Sequence, residues 1–210
     1  MRELVLKMSV SVDALVGGPD GSLQGFFGSD PEAVAWTVET VWNASLHIMG
    51  SRTFREMAAY WPASTEVFAP PMNQIPKTVF SKTGPALLET IDTTAALDNA
   101  RARAKPGETV GLQAGAASWS QAQVARGALA EEIAKLKAED GKPIIAHGGG
   151  RFARSLVAQG LVDQFSLLVH PVALGRGLSI FSDLPEARLL KLIESRAFPG
   201  GAIAQIYRPR

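Results

Sequence analysis

The chain has 210 residues, of which 46% are hydrophobic and 20% are charged. These values predict one globular domain with a sizeable core and exclude an intrinsically disordered chain. The 21 basic and 20 acidic residues give a net charge of +1, which favours neither nucleic acid nor anionic lipid as a partner. Cysteine is absent and only three histidines are present, so we predict no disulfide and no metal site.

The first residues do not form an export signal, because charges at Arg2, Glu3 and Lys7 interrupt the apolar run. No later apolar run reaches the length of about 20 residues that a membrane helix needs. We therefore predict a soluble, cytoplasmic protein whose partner is a small-molecule substrate rather than nucleic acid or a membrane.

The hydrophobic pattern predicts strands that alternate with helices. Residues 4–12 alternate as a strand does, and a loop over 13–28 separates this strand from a helix that begins near Pro31 and has Val34, Val38 and Val41 on its apolar face. The elements predicted after it are a strand at 46–49, a helix through 54–61, a strand at 77–80, a helix at 93–104, a strand at 109–113, a helix at 128–138, a strand at 143–147, a helix at 151–159, a strand at 165–169, and a terminal hairpin of strands 188–197 and 202–208.

This order of elements is typical of an α/β fold, in which helices cover both faces of a mostly parallel sheet. The terminal hairpin adds antiparallel strands, so we predict a mixed sheet with a C-terminal β-hairpin. The sequence contains no internal repeat and no low-complexity linker, and a single domain over 1–210 is the simplest interpretation.

Three predicted strands end in turns that suit an anion, since ligands of open α/β sheets bind at the carboxyl ends of strands and helix N termini favour negative charge. The residues are Gly50, Arg52 and Thr53 in one turn, Ser81 and Lys82 in another, and Gly148, Gly149, Gly150 and Arg151 in the third. Each turn alone is also consistent with an ordinary loop. Together they predict a ligand with several phosphates, such as a dinucleotide, although the G-x-G-x-x-G and P-loop signatures are absent.

Other polar residues at predicted strand ends have two interpretations each. Asp13 is either a catalytic acid or a residue that caps the following loop through hydrogen bonds. His147 and His170 are interpreted as hydrogen-bonding residues rather than as catalysts. Gly175 and Arg176 lie in a basic loop that either holds an anionic group of the substrate or only connects two elements.

Five segments in order resemble the dihydrofolate reductase-like superfamily, and most closely the reductase domain of the bifunctional riboflavin-biosynthesis deaminase-reductases. They are MSVSVD at 8–13, IMGSRTF at 48–54, KTVFS at 77–81, IIAHGG at 144–149 and LVHPVALGRG at 168–177. The resemblance implies a three-layer dihydrofolate reductase-like fold and an NADPH-dependent reductase. Because no cysteine is available for the zinc site of a deaminase, we expect a stand-alone reductase.

The resemblance also implies roles for the residues already singled out. The turn of Gly50, Arg52 and Thr53 and the turn of Ser81 and Lys82 would hold the adenosine end of NADPH with its 2′-phosphate. The turn of Gly148, Gly149 and Gly150, with the helix that follows it, would hold the pyrophosphate, and Val16 and Gly17 would lie over the nicotinamide.

Two positions depart from dihydrofolate reductases. Ala33 stands where those enzymes have a carboxylate, three residues before Trp36, and Ile75 stands where they have an arginine for the folate tail. Without the acid, protonation of a pterin ring loses its usual aid. We therefore expect hydride transfer to a small heterocyclic or ribosylamino-type substrate, with dihydrofolate reductase activity, or nucleotide binding without catalysis, as alternatives.

The terminal strands are apolar on both faces for much of 189–197 and 202–207. Edge strands of monomers usually carry more charge or proline than these do. We therefore predict a homodimer, which the resembling reductases also form through this part of the sheet. The alternative is that the chain's own helices cover the hairpin.

Overall fold

The structure, a computed structural model, describes residues 1–18, 30–91, 93–147 and 149–210. Within these residues the strands are β1 (Leu4–Ser11), β2 (Leu46–Gly50), β3 (Lys77–Phe80), β4 (Gln123–Ala125), β5 (Ile144–His147), β6 (Gln164–His170), β7 (Leu190–Ala197) and β8 (Ile203–Pro209). The helices are α1 (Pro31–Trp42), α2 (Ser51–Ala58), α3 (Ala69–Gln74), α4 (Ala86–Glu89), α5 (Thr93–Arg103), α6 (Leu129–Ala138) and α7 (Gly150–Ala158), and 3-10 turns form at Trp61–Ala63 and Ala116–Trp119.

All eight strands belong to one mixed sheet with the order β4-β3-β2-β5-β1-β6-β8-β7. The strands from β4 to β6 pair in parallel, whereas β8 pairs antiparallel with both β6 and β7. The predicted fold class is confirmed, including the C-terminal hairpin. The parallel strands all end at the same side of the sheet, which we call the carboxyl edge.

β1 lies in the middle of the sheet and alternates as predicted. Its residues Leu4, Leu6, Met8 and Val10 are buried in an apolar cluster with residues of α6 and α7. The opposite side chains, Val5, Lys7, Ser9 and Ser11, lie on the face that α1 covers, which we call the α1 face. On that face β1 separates an apolar cluster around Trp36 from a second cluster around Phe54 and Trp119.

Two sequence-based details are wrong. Of the valines predicted to form the apolar face of α1, Val41 is buried, whereas Ala33, Trp36 and Thr37 are buried in place of Val34 and Val38. The helix is rotated because Trp36 packs with Phe198 and Leu168, and burial of a large aromatic ring outweighs burial of a second valine. Residues 109–113 form no strand, and the short strand β4 pairs with β3 instead.

The short helix α3 was missed because it contains Pro70 and Pro71. Both prolines fall within its first turn, where the missing N–H group breaks no helical hydrogen bond. Among the described residues, no helix combines the length and the apolar character that crossing a membrane requires.

The outer strand β7 is exposed along nearly its whole length. Leu192 and Ile193 are each about half exposed, at 50% and 49%, and β8 is the strand with which β7 pairs. We propose that two copies of the chain pair through this hairpin. Light scattering at micromolar concentration is expected to give twice the 22.3 kDa mass of one chain, because dimerisation would bury these side chains.

Leu192→Glu is expected to shift this assembly towards the single chain by placing charge in the contact. Val67→Glu is the matched control, since Val67 is a similarly exposed aliphatic residue, at 61%, outside the hairpin. A wild-type mass equal to one chain at every concentration would contradict the dimer.

Candidate active site at the carboxyl edge

The N termini of α2 and α7 lie side by side at the carboxyl edge. Neither helix has a side-chain cap, because Gly50 and Gly149 stand at the two capping positions. A Cβ atom on Gly149 would overlap Oγ1 of Thr53, so glycine is what permits this close approach. Gly149 also has φ of +69°, which a residue with a side chain rarely adopts. Two uncapped helix N termini, each with free N–H groups and positive dipole ends, thus face the same space.

Cations follow successive strands along this edge. Arg52 follows β2, with 85% of its side chain exposed and one ion pair of 3.0 Å to Glu56. Lys82 follows β3, and Arg151 is the second residue of α7, which follows β5; both side chains are exposed. The structure thus places these three predicted residues on one edge of the sheet.

Arg126 is a fourth cation at this edge, and sequence reasoning missed it. It directly follows β4, and its Nε atom lies 2.9 Å from the place that a Cβ on Gly84 would take. Arg126 therefore lies against the turn that begins at Ser81. Since neighbouring strands are about 4.8 Å apart, the edge from β4 to β5 is roughly 14 Å long. The signal that could have found it is the short run of residues 123–125, which precedes an arginine and a glycine.

Ser81 helps to shape its own turn. Its buried hydroxyl lies 2.8 Å from the Thr83 hydroxyl and accepts a hydrogen bond of 3.2 Å from the Thr83 N–H. These bonds hold the turn that displays Lys82.

The segment after β1 closes over the start of α7. Val16 donates its N–H to the carbonyl of Leu178 over 2.9 Å. A Cβ on Gly150 would overlap the side chain of Leu178 and come within 2.9 Å of Val16. The carbonyl of Gly17 similarly occupies the space that a side chain on Gly177 would need. The structure therefore brings Val16 to the N terminus of α7 and Gly17 against Gly177. Their role towards the cofactor stays a prediction. Gly148, which shares that predicted role, lies outside the described residues.

Asp13 connects two loops at this edge. Its carboxylate accepts hydrogen bonds from the hydroxyl of Ser11 over 2.6 Å, from the Leu174 N–H over 3.1 Å and from the Gly175 N–H over 2.7 Å. The Ser11 bond, then the two backbone bonds, lower the pKa of Asp13 to about 2. Asp13 is therefore ionised at neutral pH. These contacts support the interpretation that Asp13 caps the loop, whereas a catalytic role for Asp13 stays a prediction.

The same contacts bear on the predicted substrate residues. The N–H of Gly175 is already bonded to Asp13. The Arg176 side chain is exposed, and its backbone N–H donates to the Leu174 carbonyl over 2.8 Å. Their roles towards substrate stay predictions.

A strip of polar side chains lies on the α1 face beside these turns. Lys7 pairs in register with His147 on β5 and with Ser166 on β6. Burial lowers the pKa of Lys7 to about 8, so its amine is mostly charged at neutral pH. Burial, and then the charge of Lys7, lower the pKa of His170. The Ser166 hydroxyl is buried and has no hydrogen-bond partner among the described residues. Within those residues no cluster of three or more histidines or carboxylates could hold a metal ion.

Sequence reasoning did not assign Lys7 to the site, although a signal was present. Lys7 is the charged residue of β1, and the other residues of this strand are apolar or small. The residues directly before and after Lys7 face the other side of the sheet. A lysine in a central strand of a sheet needs a polar neighbourhood, which is what the α1 face supplies at this point.

Residues 2–204 match the model of one family, described as the RibD C-terminal domain. The chain belongs to this family. The resemblance to the reductase domain of the riboflavin-biosynthesis deaminase-reductases is thereby confirmed.

Three other proteins show how far the likeness extends. The uncharacterized protein YyaP of Bacillus subtilis is 39% identical over 77 residues, which are 37% of this chain and 41% of that protein. A putative riboflavin biosynthesis protein from Shewanella sp. PV-4 has the same fold, with a TM-score of 0.67, 16% identity and coverage of 100% of this chain and 99% of its own. The dihydrofolate reductase of Enterococcus faecalis, solved with NADP(H) and RAB-propyl, gives a TM-score of 0.57 at 10% identity, covering 99% and 96% of the two chains.

Asp13→Asn tests the structural role of this carboxylate. A lowered pKa means that folding favours the ionised form, so its stabilisation is present above the unfolded pKa of about 4 and is lost as the pH falls towards about 2. We expect Asp13→Asn to lower the free energy of unfolding at neutral pH. The difference from wild type should shrink between about pH 4 and about pH 2.

Denaturant unfolding across this pH range measures the effect. Asp140→Asn is the control, because Asp140 is fully exposed and forms a loose ion pair of 3.8 Å with the N-terminal amine. Equal stability of Asp13→Asn and wild type at neutral pH would show that the three hydrogen bonds do not hold the loops together.

Proposed function

We propose that the protein is an NADPH-dependent reductase that transfers hydride to a C=N or C=O group of a small heterocyclic or ribosylamino-type substrate. The family supports a reductase-type function. The observation that carries the proposal is the meeting of the uncapped N termini of α2 and α7, where Gly149 lies against Thr53.

The residues present fit a dinucleotide diphosphate at this place. The absence of a Cβ on Gly149 lets α7 begin against Thr53 of α2, and the free N–H groups of the two helix N termini together form a cradle for phosphate oxygens. Val16 and Leu178 close the end of the cradle at Gly150. The cofactor would supply the hydride, while these residues would bind and orient it.

The cations along the edge support the choice of NADPH over NADH. Arg52, Lys82 and Arg126 follow β2, β3 and β4, on the side of α7 away from β1. Guanidinium and ammonium groups bind phosphate through charge-assisted hydrogen bonds. A dinucleotide with its diphosphate at α2 and α7 would therefore place an additional 2′-phosphate near these three side chains.

The polar strip on the α1 face supports a polar substrate that is not folate. Ala33 is buried and apolar where dihydrofolate reductases have a carboxylate, and Ile75 is likewise buried in an apolar cluster. The charged group on the strip is instead Lys7, whose mostly protonated amine can donate a proton or hold an anionic substrate group. The unpartnered hydroxyl of Ser166 lies in register beside it.

The cofactor preference can be measured by isothermal calorimetry with NADPH and NADH. We expect tighter binding of NADPH. Arg52→Ala and Lys82→Ala should each weaken NADPH binding by about 1–3 kcal/mol, the range for a hydrogen bond to a charged group. Their effect on NADH should be smaller, because NADH lacks the 2′-phosphate.

Arg101→Ala is the matched control for Arg52→Ala. Arg101 is also an exposed arginine with one ion pair on its own helix, 2.9 Å to Asp98, and it lies on α5. NADPH affinity should be unchanged in this variant. Equal affinity for the two cofactors, or binding of neither, would contradict the proposal.

Turnover is tested by following NADPH consumption with a panel of pyrimidines, ribosylamino and ribitylamino compounds, pterins and dihydrofolate. We expect consumption with a pyrimidine or a ribosylamino-type compound and little with dihydrofolate, because the buried Ala33 cannot aid ring protonation. Preference for dihydrofolate would favour the alternative of dihydrofolate reductase activity. NADPH binding without consumption on any compound would favour a nucleotide-binding module.

The same assay tests Asp13. Full turnover by Asp13→Asn would exclude a catalytic role for Asp13. The cytoplasmic location stays a prediction.

A further inference from the structure

Two histidines form a buried pair between β2 and β5. Nδ1 of His47 lies 2.5 Å from Nε2 of His147, and the ring centroids are 4.6 Å apart. His47 is completely buried, and His147 is 7% exposed. The pair links the interior of the sheet to the residue at the end of β5, two positions before the glycine that caps α7.

The second nitrogen of His47 decides where the protons lie. Nε2 of His47 lies 3.1 Å from the carbonyl oxygen of Pro71 on α3. A carbonyl only accepts, so this nitrogen donates. A neutral His47 then has no proton on Nδ1 and accepts a hydrogen bond from Nε2 of His147. A neutral His147 consequently carries its proton on Nε2 and leaves Nδ1 as an acceptor.

The surroundings keep both rings neutral. Burial, followed by the charge of Lys77 on β3, lowers the pKa of His47 to about 3. Burial lowers the pKa of His147 far below its usual value, and a proton on His47 and the charges of Lys7 and Lys77 lower it further. The two lysines are the charged side chains that act on this pair from the neighbouring strands. An additional proton on either ring would therefore meet both desolvation and repulsion.

We propose that His47 is a positioning residue that holds His147 in the Nε2–H tautomer, so that the last residue of β5 keeps Nδ1 as a hydrogen-bond acceptor. A ligand group placed against this atom must donate a hydrogen bond from an N–H or O–H. A carbonyl or carboxylate oxygen there would be repelled, because its lone pair would face the lone pair of Nδ1. His147 thus acts as a specificity-determining residue of the candidate active site. This ligand rule rests on the proposed reductase function, whereas the tautomer does not.

The tautomer is read directly from two-bond ¹⁵N–¹H correlation spectra of the full chain labelled in its histidine rings. The chain has three histidines, so His147→Asn and His170→Asn identify each set of signals. In the ligand-free wild type at neutral pH, we expect His147 to show the Nε2–H pattern. An Nδ1–H tautomer or an imidazolium at His147 would overturn the proposal.

Two substitutions at His47 separate positioning from packing. His47→Asn keeps an acceptor oxygen close to the place of Nδ1, and it should preserve the Nε2–H tautomer of His147. His47→Leu fills the space without an acceptor, and His147 should then populate both tautomers. A His147 spectrum that is the same in both variants as in wild type would show that His47 does not set the proton.

The ligand rule is tested independently by measuring kcat/KM of the His47 variants with a compound that the wild-type protein turns over. His47→Leu should lower kcat/KM about tenfold, the effect of one hydrogen bond, whereas His47→Asn should remain close to wild type. Equal kcat/KM for the two variants would overturn the ligand rule. If no compound is turned over, the reductase proposal fails, and the spectra still decide the tautomer.

Discussion

The pairing of β1 with a parallel strand on each side is the constraint on which the candidate site depends. This register aligns Lys7 with His147 on β5 and with Ser166 on β6. A slip of one residue would send every β1 side chain to the opposite face. Leu4 and Leu6, fully buried against the cluster of α6 and α7, oppose such a slip, since each side chain contributes about 1.5–3 kcal/mol by burial. Apolar burial on one face therefore sets the position of the polar strip on the other.

The α1 face buries cations without carboxylate partners. Lys77 is 2% exposed and donates to the Ile75 carbonyl and to the hydroxyl of Ser118, with Trp119 4.5 Å away. No ion pair involves Lys7 or Lys77 among the described residues. Burial lowers the pKa of Lys77 to about 7. The hydrogen bonds to neutral acceptors therefore offset only part of the free-energy cost of removing the charged amine from water. This electrostatic setting keeps the histidine pair neutral.

The carboxyl edge is held together by contacts between loops that follow different strands. Asp13 joins the end of β1 to the Leu174–Gly175 backbone, and Val16 joins the same segment to Leu178. Glycines at Gly149 and Gly150 let α7 begin directly beneath these loops. At the start of α7, the space proposed for the cofactor therefore borders helix backbone, because residues 149 and 150 carry no side chains. Such an arrangement leaves amide N–H groups accessible to phosphate.

Much of this architecture could be predicted from the amino-acid sequence, because its signals are local. The alternation in β1, the glycine turns after β2 and β5 and the proline near the start of α1 depend on residues a few positions apart. These signals were sufficient for the fold class and for three of the turns at the carboxyl edge. Lys7 was visible in the same alternation, but its importance depends on the strands beside it.

Tertiary structure decided the rest. β4 has three residues and becomes a strand through its pairing with β3, which also brings Arg126 to the Ser81 turn. The buried face of α1 depends on Phe198, far along the chain. His47 and His147 are 100 positions apart, and no local pattern connects them. A sequence by itself determines the periodicities and turns that neighbouring residues impose, whereas the protonation of this histidine pair follows from desolvation and hydrogen bonds that exist only once the strands are packed together.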